Sequence, residues 1–406
     1  MTELEGRLRA AMESAVAGEQ PPGHLADLVR RRHRRHVLRA GVAGAASVAA
    51  VAVLVPAGMT VLGRFSGTGP AAGHRPAGAT VYAEFQAKLT TTVVPVSAAT
   101  GRPGKPLRFA GAMAVAPNGK TLYLSGAVET IPVSTATNKP GKPIHVGGSL
   151  TIDPDGRTAY ATVPFGGKIT PVNLAAGRPG KPVRVCPIIG MIAFTPDGKT
   201  AYVSCPSTGR STVIPVNTAT NAPGKPIRVG PGGSEIAITP DGRTAYVLGV
   251  HTVTPVSTAT NKPGKPIRVG SPTALIAISP DGKTAYVGAI GAVVPVSTAT
   301  NVAGKPIPIG AGVPAEQLVF TPDGKTAYVA NAEGPTGRVV PISTATGTAG
   351  RAVRVGVGAL ITITPDGKTV YAAVRNQVVP ISTATNKPGK PVRLPYGLPV
   401  GLVTAP

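Results

Sequence analysis

The chain has 406 residues, of which 4% are aromatic and none is tryptophan, and its formal net charge is +24. Residues 1–39 contribute only +3 of that charge, so the positive balance is not a terminal tail and indicates association with anionic partners. With so few aromatic side chains, a core of this size must be built from Val, Ile, Ala and a small set of Tyr.

The N-terminal part predicts one membrane-spanning helix. Residues 1–36 are polar and helix-prone, which favours a short solvated cytoplasmic segment; a small regulatory or partner-binding helix is the alternative. Residues 40–62 carry no charge, and 23 residues at about 1.5 Å each span a ~30 Å hydrocarbon core. We therefore predict a transmembrane helix over 37–63. Six arginines between Arg30 and Arg39 precede it, which places the remainder of the chain outside the cytoplasm.

A cleaved export signal is the alternative to a membrane anchor. The stretch Arg34-Arg35-His36-Val37-Leu38-Arg39 resembles a twin-arginine signal, and Ala77-Gly78-Ala79 is a small-x-small cleavage site. The protein is then either a single-pass cell-membrane protein or a secreted one. A buried helix in a cytosolic protein is the third interpretation. Residues 64–79 are rich in Gly, Pro and Ala and predict a flexible linker.

From residue 80 onward the chain is a repeat in which one tyrosine position recurs every 37 to 44 residues. The equivalent residues are Tyr82, Tyr123, Tyr160, Tyr202, Tyr246, Tyr286, Tyr328 and Tyr371. Each unit contains four short apolar runs separated by turn residues, the first two by Pro-Asp-Gly and the last two by a Thr-Asn-Lys-Pro-Gly-type loop. Residues 80–406 therefore predict an all-β propeller of four-stranded antiparallel blades.

Counting the runs predicts how the ring closes. The second, third and fourth runs occur eight times, whereas Pro-Asp-Gly or Pro-Asn-Gly occurs seven times. An eighth first run, Val400-Gly401-Leu402-Val403-Thr404, stands at the end, followed by Ala405-Pro406. We predict eight blades, closed by N- and C-terminal strands that share one blade and leave no exposed sheet edge. Seven blades plus an irregular terminal strand set are the alternative.

The unit resembles the YVTN-family β-propeller repeat. Ala327-Tyr328-Val329-Ala330-Asn331 follows Pro322-Asp323-Gly324 and precedes Val-Val-Pro-Ile-Ser-Thr-Ala-Thr, and the repeats cover about 80% of the chain. The resemblance implies a surface propeller of the actinobacterial, membrane-anchored or exported type, with a binding role and no shared catalytic residues. This chain differs in having proline in every third run, which predicts a regular bulge. These prolines are Pro95, Pro132, Pro171, Pro215, Pro255, Pro295, Pro341 and Pro380.

The recurring tyrosines are predicted to pack between blades, each hydroxyl bonding a backbone group; a stacking platform for a ligand is the alternative. The Asp of each Pro-Asp-Gly is predicted to be structural, because it stands alone beside Gly and Lys or Arg. Cys186 and Cys205 are predicted to fall at the same blade end, with Cys186 a few loop residues beyond the expected cross-strand partner of Cys205. Outside the cytoplasm they are expected to form a disulfide.

A set of lysines in the loops between third and fourth runs predicts a face for an anionic partner, with a merely solvated face as the alternative. The set is Lys139, Lys142, Lys181, Lys225, Lys262, Lys265, Lys305, Lys387 and Lys390. Six arginines on the outer runs extend the positive charge to the rim: Arg108, Arg184, Arg228, Arg268, Arg354 and Arg393. Nucleic acid is not expected, because no aromatic set is interleaved with these cations.

The opposite face carries the loops that vary most in length and composition, and specific ligand recognition is expected there. Catalytic motifs such as Gly-x-Ser-x-Gly and His-Glu-x-x-His are absent from the sequence. Asp153, Glu235 and Glu316 are predicted to lie near the starts of first strands, scattered over three blades. His145 and His251 fall in different blades, so neither a metal site nor a cofactor is expected.

Together these features predict a membrane-tethered extracytoplasmic propeller that serves as a binding or scaffold module for a protein, a glycan or an anionic envelope polymer. A propeller hydrolase of the lactonase-like kind is the alternative, by analogy of fold alone.

Overall fold

The computed structural model describes residues 79–406, apart from residues 88–89, 110, 164–165, 208, 234, 311–313, 332–336, 357 and 396. The predicted cytoplasmic segment, the predicted transmembrane helix over 37–63 and the linker up to residue 78 lie outside the described residues. Across the part that is described, no helix has the length and apolar character that a membrane span requires.

In the described part of the chain the strands form eight small antiparallel sheets, arranged as an eight-bladed propeller. From the inner to the outer strand, blade 1 contains Leu398–Ala405, Thr80–Ala87, Thr90–Ser97 and Leu107–Arg108. Blade 2 contains Ala112–Val115, Thr121–Ser125 and Thr130–Ser134. Blade 3 contains Ser149–Ile152, Thr158–Thr162, Lys168–Asn173, Arg178–Pro179 and Val183–Arg184. In the same direction, blade 4 contains Ile192–Phe194, Thr200–Cys205, Ser211–Asn217, Ala222–Pro223 and Ile227–Gly230. Blade 5 contains Ile236–Ile238, Thr244–Leu248, Thr252–Ser257 and Ile267–Arg268. Blade 6 contains Thr273–Ile278, Thr284–Ala289, Ala292–Ser297 and Ile307–Pro308. Blade 7 contains Gln317–Phe320, Thr326–Asn331, Arg338–Ser343, Thr348–Ala349 and Val353–Arg354. Blade 8 contains Leu360–Ile363, Thr369–Val374, Gln377–Ser382, Lys387–Pro388 and Val392–Arg393.

Blade 1 joins the two ends of the repeat region, as the strand count predicts. Leu398–Ala405 pairs antiparallel with Thr80–Ala87, with Thr80 opposite Ala405 and one register shift between Glu84 and Phe85. Pro406 then contacts Gly119 of blade 2. The same Gly-on-Pro contact joins the turns of other neighbouring blades, for example Gly242 against Pro196. Pro406 therefore occupies the place of a Pro-Asp-Gly proline in the shared blade.

The core lies between the blades and consists mainly of Val, Ile, Ala and the recurring Tyr, as expected from the composition. Tyr202 of blade 4, for instance, packs with Ile238 and Val247 of blade 5. Because each sheet is buried only when a neighbour covers it, the blades stabilise one another around the ring.

The predicted bulge at the third-strand proline is confirmed, and it lies on the side of the outer strand. Val216 pairs with Pro223 and Val213 with Ile227, so three outer-strand residues lie opposite two of the third strand. On the other side, in all eight blades, this proline lies directly opposite the recurring tyrosine without a register shift, as Pro215 does opposite Tyr202. Its carbonyl faces the outer strand and accepts from the Gly of the Lys-Pro-Gly-type loop, as in the 2.7 Å bond from Gly224 N to Pro215 O. Proline lacks an N–H on that same side, so it interrupts pairing to the outer strand and leaves the pairing to the second strand intact. The outer strand is accordingly short, or split into two pieces.

Candidate binding faces

One end of the propeller carries two kinds of loop side by side. In six blades a threonine at the end of the third strand donates to the glycine carbonyl of the turn between inner and second strands. The distance from Thr258 Oγ1 to Gly242 O is 2.6 Å. The Pro-Asp-Gly turns and the lysine-bearing loops therefore share one end, as the topology predicts. We call this end the lysine face, after the nine loop lysines predicted from the sequence.

The aspartates of the turns are used locally. In five blades a Ser or Thr hydroxyl donates to the Asp Oδ1 at 2.6 Å, as Thr239 does to Asp241. That bond is the main cause that holds the pKa of Asp241 below its ordinary value, followed by the bond from the Arg243 N–H. Asp241 also lies 3.9 Å from the guanidinium of Arg243. These carboxylates thus shape the turn and offset the adjacent cation, consistent with a structural role.

The nine loop lysines have no such compensation. All nine side chains are exposed, and in the described part of the chain none lies within ion-pair distance of a carboxylate. The structure thus brings the whole predicted set to one end of the ring, facing solvent. Several positive charges held on one surface attract a polyanion or an anionic lipid surface.

The tyrosine hydroxyls bind a partner that the sequence did not predict. In five blades the hydroxyl donates to the Oδ1 of an asparagine of the next blade at 2.6 to 2.7 Å. Three of these hydroxyl oxygens also lie 3.4 Å from a threonine backbone carbonyl oxygen. The pairs are Tyr82 with Asn138, Tyr160 with Asn221, Tyr202 with Asn261, Tyr246 with Asn301, and Tyr328 with Asn386. The predicted backbone partner is therefore secondary to a side chain of the adjacent blade.

The asparagines sit at a backbone position that needs a left-handed conformation. Asn221, for example, has φ 57° at the loop after the third strand, a region that Gly and Asn adopt most easily. Glycine occupies the same place in the three other blades, at Gly101, Gly177 and Gly347. Tyr371, which faces Gly101, donates instead to Ala98 O at 3.2 Å. The Asn-or-Gly alternation at this position is the sequence signal that identifies which blades carry the bond.

The occurrence of either Asn or Gly at this position predicts opposite changes in the free energy of unfolding when one residue replaces the other. Replacing Asn221 by Gly keeps the left-handed backbone and removes only the acceptor of Tyr160, so we expect the free energy of unfolding to fall by about 1 kcal/mol. Replacing Gly347 by Asn is expected to raise it by a similar amount, because a Cβ there meets no atom within 4 Å and Tyr286 gains an acceptor. Thermal unfolding of both variants checks this. The Gly347→Asn gain should shrink when Tyr286 is also Phe; an undiminished gain would contradict the proposed bond.

The opposite end of the propeller has a different surface, which we call the aliphatic face. Seven large aliphatic side chains are exposed in the described part of the chain. Six of them lie in hairpins between second and third strands, in connections between blades or at the start of the closing strand. They are Val128, Val163, Ile188, Val250, Ile290 and Leu398. The seventh, Val302, lies on the lysine face.

The outer-strand arginines border the aliphatic face and not the lysine face. Arg268 pairs with Thr252 and Arg354 with Arg338, which are the first residues of their third strands. Arg184 likewise lies opposite Lys168. The sequence correctly places these arginines on the rim, but the rim charge belongs to the end opposite the lysines. The exposed border arginines are Arg108, Arg184, Arg228, Arg268, Arg354 and Arg393.

Glu84 is a buried acid that no sequence motif marks. It lies in the second strand of blade 1, opposite Gly401 of the closing strand, and is 1% exposed. Its Oε2 atom has no hydrogen-bond partner. Burial raises the pKa of Glu84 to about 8, although a bond from the Gly111 backbone works in the other direction.

The remaining acidic candidates do not converge. Glu235 and Glu316 directly precede the inner strands Ile236–Ile238 and Gln317–Phe320, and Glu235 accepts from Ile276 N of the next blade at 3.1 Å. The predicted position of Asp153 is wrong: it follows the inner strand Ser149–Ile152 and lies in the turn at the other end. Burial raises its pKa to about 7, and the neighbouring Asp155 adds to the shift. Within the described ranges no group of three His, Cys, Asp or Glu side chains is placed to hold a metal ion.

Cys186 and Cys205 form a disulfide, with their Cα atoms 6.1 Å apart. Cys205 ends the second strand of blade 4 and Cys186 lies in the connection that leads into that blade. The bond thus ties a connection between blades at the aliphatic face.

No family model and no curated protein sequence matches the chain. Several solved structures resemble it in fold. A dihydro-heme d1 dehydrogenase, NirN, in complex with DHE matches with a TM-score of 0.66 and 14% identity, covering 82% of this chain and 76% of that one. Hydrazine synthase from Kuenenia stuttgartiensis matches with a TM-score of 0.53 and 18% identity over 70% and 95% of the two chains. A functionally unknown protein from Desulfotomaculum acetoxidans matches with a TM-score of 0.53 and 17% identity over 68% and 96%. At these identities the likeness shows the propeller fold alone.

Proposed function

We propose that this protein is an extracytoplasmic, membrane-tethered scaffold whose lysine face docks on anionic lipid headgroups. The observation that carries the proposal is the set of nine exposed lysines, none paired with a carboxylate in the described part of the chain. A lysine held near an anionic bilayer contributes about 1 kcal/mol, an attraction that decays within a Debye length. Nine such groups on one face are enough to orient a tethered domain.

The path of the chain supports this orientation. Thr80 begins the second strand of blade 1, opposite Ala405 and next to the turns of the lysine face. The described part of the chain therefore enters the propeller at the lysine face, through Ala79 and Thr80. If residues 37–63 span the membrane, a 16-residue flexible linker has a root-mean-square reach of roughly 20–25 Å. That reach brings the lysine face, and not the aliphatic face, toward the bilayer.

Two further features fit an extracytoplasmic scaffold. The disulfide between Cys186 and Cys205 is of a kind that persists in oxidising compartments and is rare in the cytosol. The sequence resemblance to YVTN-family propellers implies the same exported location. Acidic wall polymers are the other anionic component that this face suits, and they form the competing arm of the test.

The proposal is tested by lysine footprinting of the full chain reconstituted in vesicles. In vesicles that contain phosphatidylglycerol, we expect acetylation of the nine lysines to be slower than in neutral-lipid vesicles. The protection should disappear at 1 M salt, where the Debye length is about 3 Å. Lys168, exposed at the other end, is the internal control. Equal labelling in both vesicles would contradict the proposal, and protection only after adding soluble polyglycerol phosphate would favour a wall polymer.

Two variants that remove the same number of charges distinguish the charge of the lysine face from the net charge of the protein. One variant changes the lysines of the three loops that carry two each to Gln: Lys139, Lys142, Lys262, Lys265, Lys387 and Lys390. The other changes the six border arginines to Gln. Both remove six charges, but only the first is expected to abolish the protection of the remaining Lys181, Lys225 and Lys305. Equal loss in both variants would mean that net charge, and not the lysine face, governs binding.

A further inference from the structure

We infer that the aliphatic face is the docking surface for a protein segment that carries aliphatic side chains and carboxylates. Val128 is 78% exposed, Val163 51% and Leu398 53%. Exposed aliphatic side chains are ordinary when scattered singly. Here six of the seven in the described part of the chain are gathered at one end, and the repeat supplies that end with hairpins from successive blades.

The exposed aliphatic residues are held in place by the neighbouring connections. Val250 donates from its N–H to Pro231 O at 3.3 Å and accepts from Thr273 N at 2.9 Å. Ile290 donates to Pro272 O at 3.3 Å. Backbone bonds of this kind fix the hairpin while its apolar side chain faces solvent. This chain then loses little conformational freedom when a partner binds, which favours affinity.

The charges around the aliphatic face specify the chemistry of the partner. Six exposed arginines border it, and Lys168, Arg210 and Arg375 are exposed at its hairpins. The described acids at this end are few: Glu129 is partly exposed beside Val128, Glu235 is engaged by the Ile276 N–H, and Glu316 also has a partner. The exposed cations therefore outnumber them. Protein interfaces usually combine apolar side chains with a polar rim and are enriched in arginine. Carboxylates on the partner would pair with the arginines, often through two parallel bonds.

Other occupants fit less well. A second copy of this chain would bring two rings of arginines together, and its lysine face would add more positive charge. A bilayer favours Trp and Tyr at the contact surface, and the large hydrophobic side chains exposed in the described part of the chain include no aromatic one. The entry of the chain at the lysine face also turns this end away from a tethering membrane. Only that last point rests on the proposed function.

The test is a selection from a displayed library of random 12-residue peptides against the full chain in neutral-lipid nanodiscs. We expect the selected peptides to be rich in Leu, Ile, Asp and Glu. Changing Val163, Val250 and Ile290 together to Asp should weaken the binding of a synthetic selected peptide at least tenfold. The control change Val302→Asp, at an exposed valine on the lysine face, should change it less than twofold. Arg228→Gln with Arg268→Gln should weaken binding at low salt.

The remaining outcomes overturn the inference. These are a failure to select peptides, a selection of basic peptides, or peptide binding that survives the triple change. Self-association abolished by the triple change would identify a second copy as the occupant, and vesicle binding abolished by it would identify lipid. Unchanged thermal unfolding midpoints confirm that each variant is folded. Lysine footprinting is measured separately on the wild type, so failure here and failure of lysine-face docking are distinguishable.

Discussion

Replacing Leu402 by aspartate is expected to prevent cooperative folding of the propeller, or to lower its free energy of unfolding by at least about 4 kcal/mol. Leu402 lies in the closing strand, is 3% exposed and packs with Phe85 and Tyr371. A carboxylate at that place is buried without a partner, which is costly in an apolar environment. The same change detaches the only strand that covers the inner edge of Thr80–Ala87 in the described structure. Chemical unfolding of the full chain, followed by circular dichroism, measures the loss.

The control for this prediction lies on the same strand. Leu398 is 53% exposed, so Leu398→Asp should change the free energy of unfolding by less than about 0.5 kcal/mol. The two variants share the strand, the residue type and the added charge, and differ only in burial. Equal effects of the two changes would contradict closure of the ring by residues 398–405.

Raising the pH from 4.5 to 8 is expected to destabilise the protein through Glu84, and Glu84→Gln is expected to remove that dependence. Its pKa in the folded chain is about 8, raised by burial from the ordinary 4.5. Below pH 4.5 the carboxyl is protonated in both states and contributes no pH dependence. Between pH 4.5 and 8 the unfolded chain loses the proton while the folded chain keeps it, so stability falls as pH rises. At 1.36 kcal/mol per pH unit, the accumulated loss is on the order of 5 kcal/mol.

Unfolding free energies of the wild type and Glu84→Gln between pH 4 and 9 test this expectation. The advantage of the Gln variant should be smallest near pH 4 and should grow until about pH 8, then level off. Glu129→Gln, the same change at a partly exposed position in blade 2, is the matched control for the substitution itself. A difference between wild type and Glu84→Gln that does not vary with pH would show that Glu84 is ionised in the folded protein.

The architecture was predictable because it depends on short strings repeated along the chain. Each Pro-Asp-Gly turn is local, and the blade that starts at Thr80 lacks an inner strand that only residues 400–404 supply. Composition likewise predicted a core of Val, Ile, Ala and Tyr, and the order of the strands predicted that the lysine loops share an end with the turns. The wrong prediction for Asp153 also concerns local structure, because the residue lies after a four-residue inner strand and not before it.

The contacts between blades were not predictable in the same way. The Tyr160–Asn221 bond joins residues 61 positions apart, and its existence depends on a left-handed backbone that Asn and Gly share. The third-strand proline was correctly expected to mark a bulge, but the sequence does not show which neighbouring strand its missing N–H faces. Only the structure places the bulge on the side of the outer strand.

The sequence by itself determined the eightfold repeat, the closing strand and the surplus of positive charge, because turn chemistry, strand periodicity and net charge are properties of the chain in order. Only the tertiary structure decided that the lysines and the outer arginines lie at opposite ends, that exposed aliphatic side chains gather beside the arginines, and that Glu84 is buried against Gly401. These facts depend on which residues the closed ring brings together, and a residue's exposure is set by neighbours that are distant in the sequence.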